Sequence, residues 1–185
     1  SPGVTGGVLV VVGEDYGEGA SVIQERTHAF ALKSSMVLLD PRPDLERMVH
    51  MVEQGFRLSE ASNMPALMEL RIRACHVRGS FTAKDNVKPA LSRHNLIEEP
   101  ASFDYNRLAH PPVTFRHEKL KGEERIPAAR RYIVENGLNE HFDGAHQDLG
   151  LIVQGGLYNT LIRALQQFGL ADAFGQTELP MLVLN

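Results

Sequence analysis

Val8 to Val12 is an unbroken run of valine and leucine that stops in a glycine-rich acidic turn, Gly13-Glu-Asp-Tyr-Gly-Glu-Gly19. A run without polar alternation belongs to a strand covered on both faces, as in parallel sheets. The residues that follow supply the crossovers such a sheet needs. Ser21 and Gln24 have capping-box spacing, which predicts a helix start. Met36 to Leu39 is a second short strand, and Pro43 suits the first turn of a second helix with Asp44 and Glu46 near its positive end. Leu45, Met48, Val49, Val52 and Phe56 then repeat at helical spacing and predict its buried stripe. Ala66 to Ala74 is a third strand. Strand–helix–strand–helix–strand order indicates an α/β fold with a doubly wound parallel sheet.

Residues 80–115 lose periodicity and gain Pro89, Pro100, Pro111 and Pro112, so they are expected to connect two lobes. From Glu118 to Asn136 acids and bases mix, which predicts a solvated helix closed by Gly137. A second α/β unit follows: Leu149 to Val153 as a strand, Gly155-Gly156 as the turn, Asn159 to Phe168 as a helix, and Leu179 to Leu184 as a closing strand. The expected division is 1–80, 81–115 and 116–185. The chain opens at Ser1 almost directly into a strand and closes inside another. We therefore expect a piece of a longer polypeptide, with an incomplete sheet whose edges invite self-association.

Bulk composition narrows the function. The 185 residues carry a net charge of −4, which gives no general attraction for nucleic acid or an anionic membrane. No apolar run reaches the roughly 20 residues of a bilayer span, and a cytoplasmic address is expected. Cys75 is the single cysteine, too few for an internal disulfide, an iron–sulfur cluster or a cysteine zinc site. His141, Asp143 and His146 lack a fourth ligand, so no metal site is expected among them.

The acidic turn is a poor phosphate cradle. Gly13, Gly17 and Gly19 match neither the dinucleotide fingerprint nor the P-loop, and Glu14, Asp15 and Glu18 would repel a phosphate. Two readings stay open: a solvated surface turn, or the wall of a ligand crevice beyond the carboxyl ends of the strands. Along the third strand Glu69, Arg71 and Arg73 alternate with Leu70, Ile72 and Ala74. Either that strand is an edge facing water, or its end lines a polar crevice. His76 follows on the same side of a parallel sheet, which makes Glu14, Asp15, Arg73 and His76 a candidate cluster. For Gly155-Gly156 a tight strand-to-helix turn is the first reading and an anion site the second.

Three stretches carry a family resemblance. Thr5-Gly-Gly-Val-Leu-Val-Val-Val-Gly-Glu-Asp-Tyr-Gly17, Arg73-Ala-Cys-His-Val-Arg-Gly79 and Leu149-Gly-Leu-Ile-Val-Gln-Gly-Gly-Leu-Tyr158 occur in this order. Together they resemble the thiamine-diphosphate-dependent 2-oxoacid:ferredoxin oxidoreductases, particularly the indolepyruvate group. The resemblance implies that residues 1–80 form the later half of a pyrimidine-binding domain and that the back part begins a transketolase C-terminal-like domain. It implies oxidative decarboxylation of an arylpyruvate to an acyl-coenzyme A, with electrons passing through iron–sulfur clusters elsewhere in the parent to ferredoxin. Thiamine diphosphate and Mg2+ would serve the intact enzyme, and none is expected bound to this piece alone. Glu14, Asp15 and His76 would then position polar groups and handle protons, and Arg73 would meet the substrate carboxylate.

The chain also departs from the family pattern. Cys75 stands where relatives have serine, and Gly19 and Val22 where many have histidine and glutamine. Phe142-Asp-Gly144 is not the Gly-Asp-Gly signature that holds magnesium and diphosphate. The glutamate that pairs with the aminopyrimidine is expected upstream of Ser1. The alternatives are a non-catalytic α/β binding or assembly module, and another thiamine enzyme related to transketolase.

Overall fold

The computed structural model describes residues 3–4, 6–15, 22, 26–90, 94, 102–146 and 148–185. Among the described residues it is an α/β fold with two three-stranded sheets. In the first, β1 (Leu9–Glu14), β2 (Val37–Leu39) and β3 (Ala66–Arg71) run parallel in the order β1-β3-β2. Two helices make the crossovers: α1 (Thr27–Ser34) between β1 and β2, and α2 (Leu45–Ser62) between β2 and β3. The helix start expected at Ser21 and Gln24 lies outside the described residues.

The third strand is shorter than its sequence pattern suggests. β3 ends at Arg71, and Ile72–Cys75 turns into a short helix, α3. The alternation therefore fails beyond Arg71. Nor is β3 an edge: it is the central strand, and Glu69 within it is buried. The crevice reading of its charges is the one the sheet supports.

Helix α2 also corrects its expected stripe. Asp44 is the N-cap, its carboxylate accepting the Arg47 N–H at 2.9 Å, and Pro43 lies one residue outside. The buried residues include Met48, Met51, Gly55, Leu58 and Ser62, whereas Val49, Val52 and Phe56 stay exposed. The small residues decide this. A Cβ on Gly55 would come 2.8 Å from Leu9 Cδ1, so helix and sheet approach through the glycine.

Residues 113–135 form one helical run: α4 (Val113–Leu120), a π turn (Lys121–Arg125) and α5 (Ile126–Glu135). The expectation of a solvated helix holds for part of its surface only. Arg125 and Ala129 are buried, and Ile126, Tyr132 and Ile133 pack against the first core. That core joins Leu39, Met51, Leu58 and Met68 to Ala129 and Leu138. α5 thus sits with the first sheet, although the sequence grouped it with the second lobe. Gly137 closes the run at φ 57°.

The second lobe contains β4 (Glu140–Phe142), β5 (Leu151–Gln154), α6 (Tyr158–Gln167) and β6 (Met181–Leu184). Its sheet order is β4-β6-β5, with β4 antiparallel and β5 parallel to β6. Ile162, Leu165, Leu179, Met181 and Val183 fill its core. No described helix is long and apolar enough to cross a membrane.

Candidate functional site

The parallel register aligns the carboxyl ends of the first sheet. Glu14 on β1 pairs in register with Arg71 on β3, and Asp40 directly follows β2. Glu69 lies two residues before Arg71, so their side chains leave the same face of β3. Crossover α1 returns over that face and brings His28 to it. The tips of three strands and the start of one helix thereby converge on a polar group that chain order keeps apart.

Arg71 holds the group together. Its guanidinium donates to Asp40 Oδ2 at 2.7 Å and to Gln154 Oε1 at 3.0 Å, and its Nε stands 3.3 Å from Glu69 Oε1. Gln154 ends β5, so this arginine ties the two lobes. The following turn completes the junction, with the Gly156 N–H donating to Asp40 Oδ1 at 3.1 Å. A Cβ on Gly155 would lie 2.1 Å from the Asp40 carbonyl oxygen, so only glycine allows this approach. The anion that Gly155-Gly156 receives is a carboxylate of this chain.

A cleft of about 370 Å³ opens beside this junction, lined by residues that include Glu14, His28, Arg71, Arg73, Gln154 and Thr160. Glu14 is buried, and its Oε2 accepts from the Thr27 backbone N–H at 3.2 Å and from the Thr27 hydroxyl. The carboxylate thus sits at the positive end of α1. Glu69 is 1% exposed. Burial pushes its carboxyl up to about 7, helped by Asp40 and Glu14 and opposed by the Arg71 charge.

Of the four residues picked from sequence, Glu14 and Arg73 line the cleft. Asp15 is half-buried next to Glu14 and is not among the lining residues. His76 is exposed after α3, its N–H bonded to the Arg73 carbonyl, and also lies outside the lining. The short helix is the reason: a strand continued to Ala74 would have carried His76 along the sheet axis, whereas α3 turns it aside.

Sequence reasoning missed His28, Asp40 and Gln154, and it noticed Glu69 only as one charge in a row. A carboxylate in the middle of an apolar strand was the available signal for Glu69. His28 offered none, because its role depends on where α1 lies. His28, Asp40 and Glu69 also present ligand atoms within 4.8 Å of one another, the spread of a small metal cage. The guanidinium of Arg71 already stands among them, with one nitrogen 2.7 Å from Asp40 Oδ2 and 3.5 Å from His28 Nε2. A fixed cation there takes the place of a metal ion. The trio His141, Asp143 and His146 is exposed in the second lobe, with His146 Nε2 3.5 Å from Glu178.

Comparison with known proteins supports the resemblance seen in the sequence. The chain is 26% identical over 188 aligned residues to indolepyruvate oxidoreductase subunit IorA of Methanothermobacter thermautotrophicus, a match covering 99% of this chain. The same subunit of Methanothermobacter marburgensis is 26% identical over 169 residues, covering 91% of this chain. The chain spans 28% and 26% of the length of these two relatives. No family model matches, and no solved structure matches significantly. Almost from end to end, this chain is similar to one portion of a subunit of indolepyruvate oxidoreductases.

Proposed function

We propose that the chain is part of an oxidoreductase acting on indolepyruvate or a related arylpyruvate, and that its inter-lobe cleft borders the substrate. The observation that carries this reading is the similarity over 99% of the chain to a protein named as an indolepyruvate oxidoreductase subunit. The cleft's position supports it, since ligands of open α/β sheets sit beyond the carboxyl ends of the strands. Its chemistry is compatible with an anionic 2-oxoacid: Arg71 and Arg73 bring positive charge, and exposed Leu157 gives the turn side an apolar surface. Arg73 is our choice for the substrate carboxylate. Glu14 belongs to the polar wall, and Asp15 and His76 remain as flanking residues of the intact site.

In this reading the reaction is oxidative decarboxylation to an acyl-coenzyme A, with electrons leaving to ferredoxin. Thiamine diphosphate would supply the carbanion chemistry. The described residues do not fit its diphosphate and magnesium. Asp143 is exposed at the end of β4, and Gly144 is pressed against backbone, where a Cβ would meet Pro180 N at 2.3 Å. We assign that role, and the iron–sulfur clusters, to other segments of the larger enzyme. The outer edge of β1, where Val10 and Val11 are 42% and 53% exposed, is the place for an adjoining segment.

The test is kinetic and uses the intact oxidoreductase. Arg73→Ala is expected to raise KM for indolepyruvate at least about tenfold with the protein still folded. Unchanged turnover and KM would remove Arg73 from the substrate site. Absence of activity towards every arylpyruvate would remove the reading as a whole.

A further inference from the structure

Among the described residues, both carboxylate oxygens of Glu69 are buried and accept no hydrogen bond. Orphaned buried acceptors are uncommon and call for a missing donor. Neither oxygen is reachable by water or by a bulky ligand, because both are sealed from the surface. A proton is the donor that fits. The partner is His28, whose Nε2 lies 3.2 Å from Glu69 Oε2.

The tautomer of His28 follows from its neighbours. An Arg71 nitrogen stands 3.5 Å from Nε2, and a guanidinium can only donate. Nε2 is therefore an acceptor, which leaves the ring proton on Nδ1. A carboxyl hydroxyl at Glu69 Oε2, nearer to Nε2 at 3.2 Å than Arg71 is, can donate to that lone pair and gives Oε2 the partner it lacks. The charged and titratable groups facing Glu69 are Glu14 from β1, His28 from α1, Asp40 after β2 and Arg71 on β3. Two carboxylates repel a charge on Glu69, and one guanidinium attracts it. His28 is a third exposed, and its side chain lines the cleft.

We propose that Glu69 and His28 share one proton across the Oε2–Nε2 contact, and that His28 exchanges it with an oxygen of the ligand in the cleft. This rests on the reading of the cleft as a 2-oxoacid site. When a ligand oxygen gains negative charge, His28 gives it the Nδ1 proton and a new O–H bond forms. Nε2 takes the carboxyl proton in the same step, leaving a Glu69 carboxylate beside Arg71. One proton moves to the ligand and one negative charge moves to Glu69, so charge is conserved. The reverse step restores the pair. Glu69 acts through His28, as its proton store and positioning residue.

The pair can be tested without any enzyme assay. In the 185-residue chain, the His28 ring signal in proton NMR is assigned by its loss in His28→Gln. That ring signal is expected to report the ionisation of Glu69 as a step near pH 7, and the step is lost in Glu69→Gln. An identical curve in both proteins overturns the shared proton. If Glu69→Gln does not fold, the infrared band of a protonated carboxyl decides the point. A band that survives to near pH 7 supports the pair, and one lost by about pH 5 overturns it. Stoichiometric binding of Zn2+ lost in both variants also overturns it, because the trio would then be a metal centre.

In the intact oxidoreductase, His28→Gln should lower kcat/KM for indolepyruvate about a hundredfold. Both variants should flatten the limb of the pH profile near neutrality. Unaltered profiles would overturn the exchange step. An enzyme inactive towards arylpyruvates would sink the proposed function, while the titration of the chain would still decide the proton pair.

Discussion

Glu69 shows how far one residue departs from its ordinary chemistry. The folded protein holds its proton up to about 7, against 4.5 for a free side chain. A raised acid is bound more tightly by the folded state than by the unfolded one. Relative stability is therefore highest below the free value and falls as pH rises through the folded value. The size of the shift corresponds to a loss on the order of 3 kcal/mol. Glu69→Gln keeps the shape and removes the charge, so it should match the parent near pH 5 and exceed it at about pH 8. Urea unfolding at the two pH values measures this. Equal pH dependence in both proteins would place an ionised Glu69 in the core.

At the scale of elements, α2 illustrates why periodicity alone misplaces a face. Val49, Val52 and Phe56 have the bulk that predicts a core stripe, yet they are 38% to 44% exposed. The helix turns its Met51, Gly55, Leu58 and Ser62 side inward, because small residues permit the closest contact with β1 and β2. Gln54 is buried for a different reason: it accepts the Tyr132 hydroxyl at 2.8 Å, linking α2 to α5. The start of the helix was plainer in the sequence, since Asp44 stands before the first helical residue. Asp44→Ala removes the bond to the Arg47 N–H and should cost about 1 kcal/mol, read as a lower urea midpoint with an unchanged slope. A larger loss would mean that Asp44 supports more than the cap.

For the whole molecule, the junction of the lobes is decided by a few polar ties. Arg71 reaches Gln154, and Arg42 grips Glu140 with two bonds of 3.1 Å while its own N–H donates to Asn185. Gly155 fits against the backbone of Asp40 and Arg42, which cannot yield as a side chain would. Gly155→Ala should therefore open the junction at a cost of about 3 kcal/mol, with both cores intact. Hydrogen exchange would show this as faster exchange at Gly156, whose N–H binds Asp40, without change in the amides of β6. Uniform acceleration would mean that the lobes unfold as one unit.

Local chemistry was legible in the residues themselves. Apolar runs, a capping aspartate and glycine-bearing turns act over a few positions, so β1, β2, α2, β5, α6 and β6 could be placed from sequence. The inward side of α2, the end of β3 at Arg71 and the place of α5 on the first core could not, because each depends on what packs opposite. The same division holds for the site. Glu14 and Arg73, picked from their place near strand ends, line the cleft, whereas His28, Asp40, Glu69 and Gln154 meet only after parallel register and lobe docking, which join Arg71 to Gln154 across 83 positions. Sequence determines which groups can bond. Tertiary structure decides which of them are close enough, and dry enough, for a carboxyl to keep its proton near neutrality.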